Sequence, residues 1–277
     1  SAASDVYKRQ DERIPFIMSM YTFDKEFKGI KPYISNYLTH MNNYLKKMVF
    51  ALALADYGNT SIDMQYFMDL FEDDNTADFI VDKIPGINEL IRIENINGKD
   101  SIRIRYHLFA EEILKQMSLG REANAISFLN LVDPILEFIE DSRKNKFNIN
   151  QDTLRLLRTL FITRSADVDA EKPAFSPLIT KLIEEHRTVH NGQYSEENDA
   201  IIRIFNKLVE VYPEEAHFTA HLARYYFYID RNFKKGFDNI NYAIKLSDTM
   251  YGYVDPLLFH MKAMGYSSKI CLSLIHI

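Results

Sequence analysis

One cysteine, no tryptophan, nine glycines and eight prolines in 277 residues leave little for chemistry that depends on thiols or loop-rich backbone. A single thiol, Cys271, excludes an internal disulfide framework and a cysteine zinc cluster. A reducing cytosol fits such usage, and a cytoplasmic protein is expected. The longest uninterrupted apolar run, Met48 to Ala55, is far short of the roughly 20 residues a membrane-spanning helix needs, so no membrane contact is expected. Positive charge is in deficit too. The formal net charge is -6 at pH 7, which argues against a chain whose main work is neutralising a phosphate backbone. The phosphate loop G-x-x-x-x-G-K-[ST], the dinucleotide fingerprint G-x-G-x-x-G, the G-x-S-x-G elbow and H-E-x-x-H are all missing, so no self-contained catalytic site is legible and the piece is not expected to be an enzyme. What is present is core material: 47% of the residues are hydrophobic, enough for one or two domains.

The two ends have a different character. Residues 1–10, SAASDVYKRQ, resemble the translation of the read adapter used in transposase-based library kits, and 272–277, LSLIHI, resemble the translated reverse complement of the same recognition end. Both are set aside as artefact. Residues 11–271 are then expected to be an internal slice of a longer protein, one charge more negative than the whole because Lys8 and Arg9 outnumber Asp5.

From Lys31 to Phe71 the apolar pattern is helical and predicts three short helices, with a break at 56–60 where Tyr57-Gly58-Asn59 supplies turn chemistry and Thr60 or Ser61 can cap the next helix. Phe67, Leu70 and Phe71 continue the apolar side, as do Phe79, Ile80 and Ile84. The period then changes from helix to strand. Ile91 and Ile93 alternate with Arg92 and Glu94, Ile102, Ile104 and Tyr106 alternate with Arg103 and Arg105, and Asn97-Gly98 lies between them, which predicts a hairpin. A helix over about 108–119 comes next, with Gly120 suited to a left-handed stop. Three helices followed by a hairpin predict a winged helix over 31–120.

After Gly120 the pattern predicts helices near 121–141, 151–163, 175–190, 196–212, 215–229, 233–247 and 256–270, with a long connection over 165–174. Residues 121–195 read as a helical linker or arm, and 196–271 as tetratricopeptide-like helix pairs. Leu222, Ala223 and Tyr226 occupy first-helix positions of such a unit; Gly236, Ile240 and Ala243 fit its second helix, Ile201, Phe205, Leu208 and Pro213 the preceding one, and Ala263 and Tyr266 the next. The expected architecture is therefore mainly α: a winged-helix domain with a small β-hairpin, followed by an α-solenoid of tetratricopeptide-like helix pairs.

His107 ends the second hairpin strand and opens the next helix, within Arg105-Tyr106-His107-Leu108-Phe109-Ala110-Glu111-Glu112. In this order of elements the chain resembles the STAND class of signal-transduction NTPases, the NACHT and NB-ARC relatives. There a histidine at this junction, usually as Met-His-Asp, contacts the β-phosphate of bound ADP; Tyr106 and Leu108 stand here in place of the Met and Asp. An imidazole beside a helix N-terminus can donate to a phosphate oxygen, and the same place suits a histidine that caps or packs at the strand end. Arg13-Ile14-Pro15-Phe16-Ile17-Met18 is similar to the start of the helical lid domain of that class, which assigns 11–30 to the end of the lid and Pro15 to the adenine; a proline in the first turn of a helix is also ordinary. His217 to Tyr226 and Leu258 to Met264 look similar to the helical repeats appended to bacterial members. The resemblance implies the regulatory and sensor portion of an NTPase in antiphage defence signalling. It implies no cofactor in the piece, ATP or ADP in the parent, and an oligomer of the parent.

Two other readings stand beside it. One is a winged-helix transcription regulator, but the candidate recognition helix, Thr76 to Ile84, sets Asp78 and Asp82 against a single Lys83, so DNA is a poor partner despite Arg92, Arg103 and Arg105 on the hairpin. The other is a scaffold that binds a protein or peptide along its helical repeats through Arg224, Tyr225 and Tyr228. Two histidine pairs at helical spacing, His186 with His190 and His217 with His221, and the acidic run Glu72, Asp73, Asp74 with Asp78, complete the candidates; no metal is expected at them, since helix-face histidines and a solvated, capping loop are the plainer readings.

Overall fold

The apolar run Met48 to Ala55 becomes the centre of a helical core. The computed structural model describes residues 29–64, 66–67, 87–96, 98–119, 127–143, 151–163, 175–189 and 199–275, which are mainly helical with one small three-stranded antiparallel sheet. Helix α1 spans Ile30–His40 and α2 spans Asn43–Tyr57. Asn42 starts α2 by accepting a hydrogen bond from the Leu45 amide at 3.0 Å. Every residue from Met48 to Asp56 of α2 is buried, so this helix is covered on all sides.

Strands β1 (Ile62–Asp63), β2 (Ile91–Ile96) and β3 (Lys99–Ile104) lie in the order β1-β3-β2, all antiparallel. A single turn, α3 (Ile87–Leu90), leads into β2. The alternation of isoleucines fixes the register: Ile91 opposes Ile104 and Ile93 opposes Ile102, while Arg92 opposes Arg103. Ile62, Ile91, Ile102 and Ile104 are buried against α2 and its neighbours. Gly98 closes the hairpin at a φ of 81°, where a side chain would be strained. Helix α4, His107–Met117, comes after the hairpin and packs on both α1 and α2.

The left-handed residue after α2 is Asn59, at φ 56°, while Gly58 keeps a negative φ; Asn tolerates that region through its short polar side chain. Thr60 and Ser61 lead directly into β1, which is too short to leave a period in the sequence, and the helical residues Met64, Tyr66 and Phe67 come only after it.

The later helices are α5 (Val132–Asp141), entered by a 3-10 turn, α6 (Gln151–Phe161), α7 (Pro177–Val189), α8 (Ala200–Val211), α9 (Ala216–Tyr225), α10 (Phe233–Tyr251) and α11 (Pro256–Ile275). The chain divides into two compact units, residues 1–134 with 141–181, and residues 135–140 with 182–277. Residues 1–28, 65, 68–86, 97, 120–126, 144–150, 164–174, 190–198 and 276–277 lie outside the described residues, and with them Pro15, Gly120, the candidate recognition helix and the connection over 165–174. No described helix is long and apolar enough to cross a membrane.

In the second unit α8, α9, α10 and α11 pack each on the next. Leu222, Ala223, Tyr226, Gly236, Ile240 and Ala243 are all buried, in agreement with the spacing that singled them out. Ala263 and Tyr266 are exposed, because α11 turns Leu258, Met261 and Gly265 inward. Helix α10 runs past the expected end at 247 to Tyr251, where Gly252 stops it at φ 70°. Asp199, fully buried, caps α8 by accepting from the amides of Ile201 (2.9 Å) and Ile202 (3.1 Å), and its other oxygen accepts from the Tyr225 hydroxyl at 2.5 Å. Tyr225→Phe is expected to cost about 2 kcal/mol, the range for a hydrogen bond to a charged group, measured as a lower urea midpoint with an unchanged m-value.

Candidate functional site

The end of α2 and the start of α4 bring opposite charges together, each at the helix end that disfavours it. Asp56 lies in the last turn of α2, where the helix dipole is negative, and His107 is the first residue of α4, where it is positive. Their pairing resolves both conflicts. Imidazole Nδ1 donates to Asp56 Oδ2 at 2.5 Å, and Nε2 faces Glu111 Oε1, one turn along α4, at 3.2 Å. Arg103 from β3 brings a guanidinium nitrogen to 3.6 Å from the other Asp56 oxygen. The Asp56 carboxylate is 4% exposed, His107 19% and Glu111 31%, so the cluster is dry at Asp56 and open at Glu111.

The hydrogen bond to Asp56, then that to Glu111, raises His107 to about 9 against the opposing effect of burial. At neutral pH the ring is an imidazolium that donates from both nitrogens. Neutralising the outer partner by Glu111→Gln is expected to bring the His107 titration down part of the way to its ordinary value while leaving stability within about 1 kcal/mol, since this pair is partly solvated. Following the ring proton by NMR between pH 5 and 11 checks it.

On the α1 side of the same unit, the hydroxyls of Tyr33 and Tyr37 both donate to Glu89, the latter at 2.6 Å. These two bonds hold Glu89 below its usual range, while burial and then the Glu89 bond push Tyr33 well up. Near β1 a polar cleft of about 380 Å³ is lined by Thr60, Ser101, Asp63, Lys99, Asp152 and Arg155 among others. Its charges are already matched: Lys99 pairs with Asp152 and with Asp63 at 3.6 Å, and Arg155 lies 3.8 Å from Asp152.

Of the other sequence candidates, Arg224 and Tyr225 are interior, at 2% and 0% exposure, and Tyr228 is half-buried with its hydroxyl 3.5 Å from the Met264 carbonyl. A partner on the surface reaches Arg224 and Tyr225 only if the helices part. His217 pairs with Asp255 at 3.1 Å and His221 is buried with its ring stacked on Phe205. His186 is buried, and His190 and the acidic run at 72–78 lie outside the described residues. Among the described residues no group of three or more His, Cys, Asp or Glu side chains is placed to hold a metal ion.

The cluster was only half legible. His107 stood out by its junction, whereas Asp56 read as the first residue of a turn. Its partner is 51 positions away, and the one signal for it was an acid in the last turn of a helix, directly after the apolar run Met48 to Ala55. No family model, curated protein or solved structure matches the chain.

Proposed function

We propose that the chain is the regulatory and sensor portion of a STAND-type NTPase in bacterial defence signalling, the phosphate-loop core belonging to a part of the parent outside this sequence. In this reading residues 31–120 form a winged helix that holds the ADP state closed, and the helix pairs of 196–271 form a solenoid that senses a protein or peptide ligand. Release of the closed state then allows the parent to oligomerise. The element order supports it: helices α1 and α2, the short β1, then the β2–β3 hairpin with β3 in the centre, then α4.

The observation that carries the proposal is His107. It opens α4 at the end of the hairpin, held charged by a buried carboxylate on Nδ1, with only the more exposed Glu111 on Nε2. A phosphate oxygen can take the place of Glu111 at Nε2 while Asp56 keeps the ring oriented, and an anion is favoured at a helix N-terminus. In the parent the nucleotide would be ATP or ADP, with Pro15 against the adenine. DNA binding is disfavoured because the hairpin arginines are engaged within the chain: Arg92 with Glu94 at 2.8 Å, Arg103 with Asp56, and Arg105 with the Ile91 carbonyl at 3.3 Å. Long-read sequencing upstream of the source gene tests the proposal. A phosphate loop and an acidic Walker B strand in frame ahead of Arg13 are expected; an open reading frame that lacks them over the preceding few hundred codons would sink it.

A further inference from the structure

The polar cleft near β1 lies between one face of the sheet and the start of α6. Asp63 on β1 and Ser101 on β3 oppose each other across the ladder, and Lys99 comes two residues before Ser101, so the three share the face opposite to Ile62 and Ile102. Those two isoleucines are buried, and β3 packs on α2. Helix α6 contacts β1 and brings Asp152 and Arg155 from its first two turns to the cleft. At about 380 Å³ the cleft falls within the range of about 300–1,000 Å³ that small-molecule sites occupy.

Burial sorts the charges of this cleft. The carboxylates stand deeper, with side-chain exposures of 18% for Asp63 and 33% for Asp152, and the cations stand at the rim, with 61% for Lys99 and 79% for Arg155. The Lys99 ammonium bridges the two carboxylates, but an exposed pair of this kind is weak and exchanges readily. The sheet wall adds a group of another kind. Ser101 is 8% exposed, it lines the cleft, and among the described residues its hydroxyl forms no hydrogen bond. Buried hydroxyls are normally hydrogen-bonded, so a ligand nitrogen or oxygen at this wall satisfies a group that the described residues do not.

A ligand of one sign matches this arrangement poorly. An anion drawn to Lys99 and Arg155 meets Asp63 and Asp152 beneath them, and a simple cation that displaces Lys99 from the carboxylates leaves two cations at the rim without a counter-ion. A zwitterion satisfies both ends. Its ammonium takes the position of the Lys99 ammonium between the two carboxylates, and its own carboxylate, one carbon further on, meets Lys99 and Arg155 at the rim. We propose that the cleft binds a free amino acid, its ammonium held by Asp63 and Asp152, its carboxylate by Lys99 and Arg155, and one of its polar atoms by the Ser101 hydroxyl. This goes beyond the nucleotide reading and does not depend on it.

The test uses the full 277-residue chain and ligand-observed saturation-transfer NMR with each standard amino acid in turn at about 1 mM, which detects dissociation constants into the millimolar range. At least one amino acid is expected to bind. Its two analogues, the amine that lacks the carboxylate and the acid that lacks the ammonium, are each expected to bind at least about tenfold more weakly. Asp63→Asn should weaken the amino acid at least about tenfold as well, Ser101→Ala should weaken it to a lesser degree, and Arg155→Gln should weaken it while leaving the amine analogue unchanged. Arg155 is at the surface, so its variant keeps the test open even where Asp63→Asn disturbs the fold, and circular dichroism of each variant shows whether its helices are retained. Binding of no amino acid, binding of either analogue as tight as that of the amino acid, or binding that neither Asp63→Asn nor Arg155→Gln changes overturns the proposal.

Discussion

Phe227→Ala is expected to destabilise the second unit by about 3–5 kcal/mol, the range for emptying an aromatic site in a core. The ring is 1% exposed and wedged between two helices at their glycines. A Cβ at Gly265 would lie 2.6 Å from the ring, and a Cβ at Gly236 would lie closer still. Phe237 and Phe233 also pack on the ring, with centroids at 4.9 and 6.3 Å. The ring therefore fills the space that a side chain at either glycine would need. Gly236→Ala should accordingly cost about 1–3 kcal/mol by overpacking, even though helix propensity by itself favours alanine by about 1 kcal/mol. In the Phe227→Ala background the same substitution should become neutral or stabilising, because the obstruction is gone. Hydrogen exchange of peptides from α9 to α11, read with urea melts of the four chains, measures all three effects. A stabilising Gly236→Ala in the native background would show that the ring is not confined.

Removing the other central group, Asp56, leaves His107 and Arg103 without their buried counter-ion. Asp56→Ala is expected to cost about 3 kcal/mol at neutral pH, the low end for breaking a buried pair, since His107 can shed its proton and escape part of the penalty. The pH dependence identifies the cause. Because folding raises His107 to about 9, its contribution is complete at and below the ordinary histidine value of 6.5 and is lost as pH rises through 9. The difference between the native chain and the variant should therefore shrink in alkaline solution to the part that Arg103 retains, while the His107 titration in the variant drops back towards 6.5. A stability difference that stays constant from pH 6 to 10 would assign the loss to packing around Asp56 and not to the charge pair.

The two effects differ in how far the sequence announced them. Gly236 was marked by its spacing from Ile240 and Ala243, which said that two helices meet closely there; it did not say that the filler is Phe227, since helices of many pairings share that spacing. His107 was marked by its place at a change of period, and Asp56 was not. For α11, spacing assigned Ala263 and Tyr266 to a helix-facing stripe, while the structure leaves that stripe open to solvent.

By itself the sequence determined what depends on neighbours along the chain. The hairpin around Asn97-Gly98, the helical periods of α2, α4 and α8 to α11, and the scarcity of thiols and long apolar runs all stem from residues a few positions apart, where backbone preference and burial period act. Only the tertiary structure decided what depends on distant residues. It brought Asp56 to His107, Asp199 to Tyr225 and Phe227 between two glycines; it added the two-residue β1 to the hairpin, and it turned Arg224 inward and Phe259 outward. A carboxylate carries no local mark of the cation it will meet, and an apolar stripe does not say whether the chain will cover it. Those outcomes are set by which helix ends and faces the fold places within a few ångströms of one another.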